Sequence, residues 1–302
     1  MHWILVALVA PLIWSFLNHA DKYLISKYSN NAGVAGLAIF SSLFAVFALP
    51  VIYIIDSTVF SLPAVSTIAI TISGILLAFC VFLYLHALDH DDTSHVVPFW
   101  FLTPMFAYVL GIIFLGEYIH GGKVLGSIIT LVGALILSLE FDKGVKVKKA
   151  VTILMVFSSM SVAGSDTIFK YFVNHASFSQ AIFWNQVGFV IFGVALLSIK
   201  KYRSDFRNVL KMKSLQIVSI NVIGELGQTI AVVVNTYALL LAPIALVTLV
   251  NYTFQPLFVF IIGILITRFF PKIAQEHLTR RHITQKVVSM VIMSIGVYLI
   301  MI

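Results

Sequence analysis

Long apolar runs separated by short polar stretches dominate the pattern of this 302-residue chain. Each run is close to the ~20 residues that an α-helix needs to cross a ~30 Å hydrocarbon core. The runs are continuously apolar instead of alternating, which favours helices over the strands of a membrane barrel. Ten of them can be delimited, at 3–25, 33–55, 64–87, 96–116, 123–140, 151–172, 179–199, 214–240, 243–267 and 284–302. The pattern therefore predicts an all-α integral membrane protein with ten transmembrane helices.

Composition agrees with this prediction. The chain is 60% hydrophobic and 10% charged, whereas a soluble domain carries roughly 25% charged residues. The first run lacks a basic leader and a small-residue cleavage site, so we expect a retained helix and not a secretory signal. The single cysteine, Cys80, excludes an intramolecular disulfide and a cysteine-based metal cluster, and its apolar surroundings predict a buried side chain.

The basic residues predict the orientation of the chain in the membrane. The stretches 143–149, 200–213 and 268–286 follow the fifth, seventh and ninth runs, so they face one side as loops, together with Lys27. Apart from two lysines inside apolar runs, only Lys123 falls on the other side. The positive-inside rule places the basic loops in the cytoplasm and both chain ends outside. The net charge of +7 is thereby explained without nucleic-acid binding.

The second half of the chain repeats landmarks of the first. Residues 83–114 align with 234–265, so that Ala87-Leu88 matches Ala238-Leu239 and Pro104 matches Pro256 with one residue of slippage. A glycine follows seven residues after each proline, Gly111 and Gly263. The outer runs agree as well: Asn18 and Lys22 align with Asp166 and Lys170, and Lys123 with Gly133 aligns with Lys286 and Gly296. Chance similarity between apolar helices is the alternative explanation.

Five helices in each half would place the two repeats in opposite orientations in the membrane. We expect a first repeat at 1–142, a basic linker at 143–150 and a second repeat at 151–302. Inverted repeats are typical of secondary transporters that bind substrate near the midplane.

The two prolines suggest where such a transporter bends. Proline inside a helix removes a backbone donor and frees a carbonyl, which membranes tolerate where the backbone faces protein or a watery cavity. Pro104, Pro256, Gly111 and Gly263 are therefore predicted helix breaks or hinges. Proline is also simply commoner in membrane helices than in soluble ones, which is the alternative reading of either proline alone.

The stretch from Tyr84 through "HALDH" and "VVPFWFLTPMFAYVLGIIFLGEYI" to "GGKVLGSIITLVGALIL" resembles the EamA-type repeat of the drug/metabolite transporter superfamily. The resemblance covers the chain as two repeats and is strongest over 83–138. It implies ten helices in two inverted five-helix repeats that move a small organic solute by alternating access. Arg268 and Phe269 stand in the second repeat where the first has Gly116 and Glu117, and the predicted outside termini differ from many relatives.

Glu225 is the main candidate for binding substrate or protons. It lies near the centre of the run 214–240, with Asn221 four residues before it and Gln228 three residues after it, on one helical face. Charge inside a membrane is costly and suggests function. A carboxyl removed from water could exchange a proton near neutral pH or neutralise a cationic substrate. The structural alternative is a permanent pair with Lys170 or capping by neighbouring amides.

Other polar residues in the runs are candidates for the same cavity. Asp166 and Lys170 stand four apart and could form a local pair, although Lys170 could instead reach the interface. The matching residues of the first run, Asn18, His19, Asp21 and Lys22, lie nearer its end, where interfacial anchoring is expected. The remaining candidates are Trp184, Asn185, Asn251, Tyr252 and Gln255.

No motif predicts a cofactor or a metal. The loop at 88–95 contains acids and histidines, but their spacing matches no zinc or calcium pattern, so we expect a solvated turn that caps the next helix. Glu117 is expected at the membrane boundary, where an exposed carboxylate costs little. There is no nucleotide-binding loop, no paired-histidine protease motif and no nucleophile elbow.

Secondary transport is the function that the sequence favours. We expect a monomer in the plasma membrane that moves an amino acid or amine, with protons as a possible coupling ion. A polytopic membrane enzyme and a non-transporting receptor or assembly subunit remain the alternatives. Sugar phosphates, nucleotide sugars and drug-like cations remain alternative substrates.

Overall fold

Helices form most of the described part of the chain. The computed structural model describes residues 2–28, 33–91, 96–138, 148–173, 176–211, 215–269 and 280–301. The α-helices are α1 (His2–Tyr28), α2 (Val34–Phe44), α3 (Ala48–Ile55), α4 (Ala64–His90), α5 (Leu102–Leu110), α6 (Gly122–Ser138), α7 (Lys149–Val173), α8 (Phe178–Leu197), α9 (Lys200–Lys211), α10 (Leu215–Leu241), α11 (Ile244–Phe269) and α12 (Arg280–Met301). Short 3₁₀ turns lie at Ala45–Phe47, Ser57–Ser61 and Val97–Phe101.

Within the described residues, seven stretches of helix are long and apolar enough to cross a membrane. They include the joined α2 and α3, which span Val34–Ile55. Three shorter apolar helices, at Phe99–Leu115, Gly122–Gly133 and Val287–Ile300, coincide with the remaining predicted runs. Large apolar side chains such as Ile54 and Val65 point outward, more than two thirds exposed, as lipid-facing residues do. The chain is an integral membrane protein, and the count of ten crossings stays a prediction.

The helices of the two halves pack across each other in matching ways. α1 packs on α10 and α11 of the second half, and α7 packs on α4 and α5 of the first. α6 packs on α12, where Gly126 meets the backbone of Gly296. Exchange of the halves would convert the contacts of α1 with α10 and α11 into those of α7 with α4 and α5, and would leave the contact of α6 with α12 unchanged. The repeat itself stays a prediction. Whether the repeats are inverted stays a prediction.

Two glycines permit a very close crossing of α4 and α8. A Cβ on Gly74 would overlap the backbone oxygen of Asn185, and a Cβ on Gly188 would lie 2.8 Å from the Cα of Gly74. Small residues let membrane helices approach closely enough for backbone-to-backbone packing. Exchange of the halves would make α2 and α10 the matching pair, but these two helices have no comparable packing among their described residues.

The predicted hinge prolines occupy different settings. Pro104 lies in the first turn of α5, directly after the 3₁₀ turn that ends at Phe101, and so it does not interrupt a continuous helix. The irregularity follows later, where Gly111–Leu115 forms a π-helix that ends at Gly116 with φ 63°. Pro256 lies inside α11, which is continuous from Ile244 to Phe269. Both glycines, Gly111 and Gly263, are buried.

One predicted loop is a helix. The stretch 200–213 was expected as a basic loop, but Lys200–Lys211 forms the amphipathic α9. Its inner face packs on α2, where Val209 lies against Gly36. The expectation of a loop was wrong because the charges at every third or fourth position occupy one side of a helix, leaving an apolar stripe opposite.

We predict that Gly188→Ala destabilises the protein. The added methyl group has no room between α4 and α8, so we expect a loss of about 1–3 kcal/mol in unfolding free energy, measured by thermal or denaturant unfolding in detergent. Gly164→Ala is the matched control in α7, because its Cβ would stand 3.7 Å from Leu76 Cδ1, an ordinary contact. Equal stability of Gly188→Ala and the control would contradict the tight crossing.

Candidate functional site

A central cavity lies between the two halves of the chain and is lined from both. Its volume, counted as the space that the centre of a water molecule can occupy, is about 110 Å³. Asp21 near the end of α1, Ser41 in α2 and Tyr84 near the end of α4 line it from the first half. α10 and α11 supply the second half, with Glu225 and Tyr252. The cavity therefore lies toward the side on which α1 and α4 end, which is also the side of the basic α9.

Five of the predicted site residues line this cavity. They are Asn221, Glu225, Gln228, Tyr252 and Gln255. The helical face proposed for the first three from their spacing is thus turned toward a cavity. Asp166, Lys170, Trp184, Asn185 and Asn251 are not part of the lining.

Two carboxylates and no basic side chain line the described cavity. The carboxylates belong to Asp21 and Glu225. Lys22, next to Asp21, directs its Nζ to the backbone oxygen of Asp91 at 3.4 Å. An acidic cavity without a fixed cation favours a positively charged occupant.

Glu225 is held by a hydroxyl from the other half. Ser41 of α2 donates a hydrogen bond to Glu225 Oε1. The alternative of a permanent Lys170–Glu225 pair is wrong, because Lys170 pairs elsewhere. The Ser41 contact links α2 with α10, two helices that otherwise pack little against each other.

Four aromatic rings form one wall of the cavity. The rings of Trp14 and Tyr252 are stacked, with centroids 6.3 Å apart, and those of Trp100 and Tyr252 are stacked at 5.4 Å. Tyr84 contacts Trp100 at 5.7 Å. Trp14 Nε1 donates to Gln228 Oε1 at 2.9 Å, which fixes the ring at the edge of the cavity. Ring faces of this kind attract organic cations.

Several buried polar atoms around the cavity have no partner among the described residues. Asn18 Oδ1 accepts a hydrogen bond from Tyr84 at 2.8 Å, but Asn18 Nδ2 has no partner. Trp100 Nε1 and Gln255 Oε1 are also unpaired. Buried polar groups normally have a partner, so donors and acceptors left over beside a cavity suit a bound solute or water.

Asp166 and Asn251 reach the cavity indirectly, through Asn235. Asn251 Nδ2 donates to Asn235 Oδ1 at 2.5 Å, and Asn235 also hydrogen-bonds to the Asp166 carboxylate. Asn235 itself lines the cavity. Asp166 is thus a buried support behind the wall, and no pair between Asp166 and Lys170 forms, contrary to one of the two expectations.

Asn185 belongs to the crossing of α4 and α8 instead, and Trp184 bonds to the 3₁₀ turn that precedes α4. Trp184 Nε1 donates to the backbone oxygen of Val59 at 2.8 Å. Asn185 Nδ2 donates to Ser73 Oγ at 2.9 Å. The structure thus brings neither residue to the cavity, and the predicted substrate contact has no geometric support at these two positions.

Lys170 joins the two halves at the opposite end from the cavity opening. Its Nζ lies 2.5 Å from Glu117 Oε1 and donates to the backbone oxygen of Ala242 at 2.6 Å. Glu117 Oε2 accepts from the backbone N–H of Ile244 at 2.7 Å, at the start of α11. The expectation of an exposed Glu117 was wrong, because the helix N-terminus and the lysine together hold the carboxylate.

The sequence pattern did not identify four residues of the cavity. It indicated an interfacial position for Asp21 and gave no prediction for Trp14, Tyr84 and Trp100. One signal was present in α1, where Trp14, Asn18 and Asp21 are spaced four and three apart and so share a face. The other aromatic residues gave no signal, because tryptophan and tyrosine are common in membrane helices.

The loop predicted as a solvated turn lies partly outside the described residues, which omit 92–95. Within the described ranges, no group of three or more His, Cys, Asp or Glu side chains is placed to hold a metal ion. Cys80 is buried, as predicted, and accepts a hydrogen bond on its backbone oxygen from Ser158 at 2.9 Å.

We predict that breaking the Lys170–Glu117 pair destabilises the protein. Lys170→Met leaves a half-buried carboxylate with one partner fewer, so we expect a loss of about 2 kcal/mol in thermal unfolding. Glu117→Gln should cost a similar amount, and the double variant less than the sum of the two. Lys149→Met, at the exposed other end of α7, is the matched control and should change stability by less than about 0.5 kcal/mol. Additive losses would show that the pair carries no coupling.

Comparison with known proteins gives one family and one fold. Among curated proteins, none matches the chain in sequence. The chain is similar to a protein of known crystal structure with 12% identity and a TM-score of 0.69, over 99% of this chain and 96% of that one. At this identity the likeness establishes the fold alone. Residues 1–139 match the EamA-like transporter family, which confirms over the first half of the chain the resemblance found in its sequence.

Proposed function

We propose that this protein is a secondary transporter that carries a small organic solute with a positively charged amino group, an amine or an amino acid, across the plasma membrane. The single observation that supports this most is the position of Glu225, which lies in a cavity lined from both halves. Among the described residues, this lining holds a second carboxylate and no basic side chain. The matched family consists of transporters.

Alternating access is the proposed mechanism. The close crossing of α4 and α8 and the Lys170–Glu117 pair close one end of the molecule. At the other end, α2 and α10 have little contact besides Ser41 and Glu225. The halves would rock so that α2 and α10 approach while α4 and α8 separate, as in transporters built from two repeats. The π-helix that begins at Gly111 would supply irregular backbone for this motion, and Pro256 lacks a backbone donor inside α11.

The solute would bind between carboxylate and rings. Glu225 and Asp21 offer negative charge to an amino group, and the stacked Trp14, Tyr252 and Trp100 offer ring faces. The unpaired N–H groups of Trp100 and Asn18 would donate to a carboxylate or carbonyl on the same solute. This arrangement favours an amino acid or amine over a sugar phosphate, whose anionic groups would meet no basic side chain in the described lining.

Protons would compete with the solute for Glu225. Protonation neutralises the carboxylate, so the affinity for a cation would fall as pH is lowered. Release of the solute would then let the proton bind, and the two ligands would cross the membrane in opposite directions. The basic segments would face the cytoplasm, and the cavity would therefore open inward. One chain supplies both walls of the cavity, so a monomer suffices.

We predict that amines and amino acids raise the thermal stability of the purified protein, whereas sugars and nucleotide sugars do not. A compound at about 100 times its dissociation constant should stabilise by roughly 2.7 kcal/mol. Amines and amino acids should stabilise the wild type more at about pH 8 than at about pH 6, because more of the carboxyl is ionised at the higher pH. Glu225→Gln should lose this shift, and uptake of the stabilising compound into vesicles should be lost with it.

Asp89→Asn is the control for the Glu225 substitution. It removes the same charge at the exposed end of α4, outside the cavity lining, and should bind and transport as the wild type does. Equal stabilisation of the wild type and Glu225→Gln would remove Glu225 from the site. Stabilisation by sugars or nucleotide sugars alone would overturn the proposed substrate class, and binding without flux would overturn transport.

A further inference from the structure

The outer face of α9 is a charged surface that the transport mechanism does not use. Lys200, Arg203, Arg207 and Lys211 are all exposed and follow one another at intervals of three, four and four residues. Residues at such intervals share one side of a helix. These four residues therefore form the basic face, a single stripe of positive charge along α9.

The opposite side of α9 is fixed to the protein. Val209 is buried against Gly36 at the start of α2, and the rings of Tyr202 and Phe82 lie 5.9 Å apart. Asp205, the acidic residue of this helix, turns inward over Gly33, where a Cβ would stand 2.6 Å from Asp205 Oδ2. Partial burial raises the pKa of Asp205, while Lys201 and His86 act in the opposite direction. No described acidic side chain of α9 thus lies on the basic face.

The position of α9 relative to the membrane follows from its neighbours. It begins at Lys200, three residues after Leu197 ends the apolar α8. It packs on the first turns of α2 and near the last turns of α4, which are the ends of membrane-crossing stretches. Exposed Ile199 and Leu210 flank the basic face. An amphipathic helix with basic and apolar residues at this level lies in the headgroup region.

We propose that the basic face of α9 binds the anionic headgroups of phospholipids in the adjacent leaflet. Clusters of four or more Lys and Arg on an amphipathic helix beside a membrane span attract anionic lipids. The occupant is a lipid and not an acidic protein segment because α8 holds α9 at the bilayer, where headgroups are the nearest anions. The guanidinium groups of Arg203 and Arg207 suit phosphate oxygens in particular.

Bound headgroups would act on the cavity through α2. α9 and α8 both pack on α2, and α2 carries Ser41, which holds Glu225. Anionic lipids would therefore restrain the helix that has to move in the proposed transport cycle. The binding of lipid itself does not depend on that cycle.

Association with spin-labelled lipid tests the proposal. Full-length protein is placed in phosphatidylcholine vesicles with trace spin-labelled phosphatidylglycerol or spin-labelled phosphatidylcholine, and the fraction of motionally restricted label is measured. The wild type should select phosphatidylglycerol several-fold, and the selectivity should fall between about 0.05 M and about 0.5 M salt because surface charge is screened. The quadruple variant K200Q/R203Q/R207Q/K211Q should lose the selectivity, since glutamine keeps the length and helix propensity but not the charge.

A second quadruple variant removes the same charge from another basic segment. R268Q/K272Q/R280Q/R281Q should keep the selectivity of the wild type. Equal loss in both variants would assign the effect to net charge and overturn the basic face as a site. Retained selectivity in the α9 variant, or none in the wild type, would overturn it as well. Binding of polyglutamate without lipid selectivity would show a protein-binding surface instead. The lipid assay does not depend on solute flux. A failure of the lipid proposal and a failure of the transport proposal would therefore be distinguishable.

Discussion

The high cost of a polar group in hydrocarbon is the constraint on which the rest of this structure depends. Many polar side chains inside the described helices have a partner, such as Ser73 for Asn185 Nδ2 or Glu117 for Lys170. Of the eight buried side-chain atoms that have no partner among the described residues, three belong to residues that line the cavity: Asn18, Trp100 and Gln255. A membrane protein that tolerates unpaired Trp100 Nε1 and Asn18 Nδ2 next to two carboxylates carries a cost that a bound solute would offset.

Much of the helix pattern could be predicted because the bilayer fixes the length and polarity of what crosses it. The long runs became helices with bounds a few residues from those expected, and Glu225 with its neighbours at 221 and 228 faces a cavity as its spacing implied. The polar composition of α9 predicts a loop, although the spacing of its charged residues is helical. In this segment the spacing of the charged residues indicates the structure better than the composition does.

Contacts between side chains of different helices could not be predicted from the sequence. Glu117 finds Lys170 from the sixth run and the N-terminus of α11, and Asp21 shares a cavity with a residue some two hundred positions away. These contacts depend on how helices pack, which spacing along one helix does not contain. The predictions for Trp184 and Asn185 lack geometric support for the same reason: their chemistry suits a substrate, but Trp184 bonds to the 3₁₀ turn before α4 and Asn185 bonds to α4 itself.

The repeat proposed from the sequence gives the two interfaces of the molecule opposite chemistry. The alignment that sets Ala87 opposite Ala238 also sets Gly74 opposite Glu225. Gly74 lies where α4 and α8 are in backbone contact, and Glu225 lies where α2 and α10 stand apart. A glycine permits closure without a ligand, whereas a carboxylate in the same place resists closure until its charge is neutralised. An exchange of proton and cation at Glu225 would therefore decide when the second interface closes, which connects binding to motion through one pair of corresponding positions.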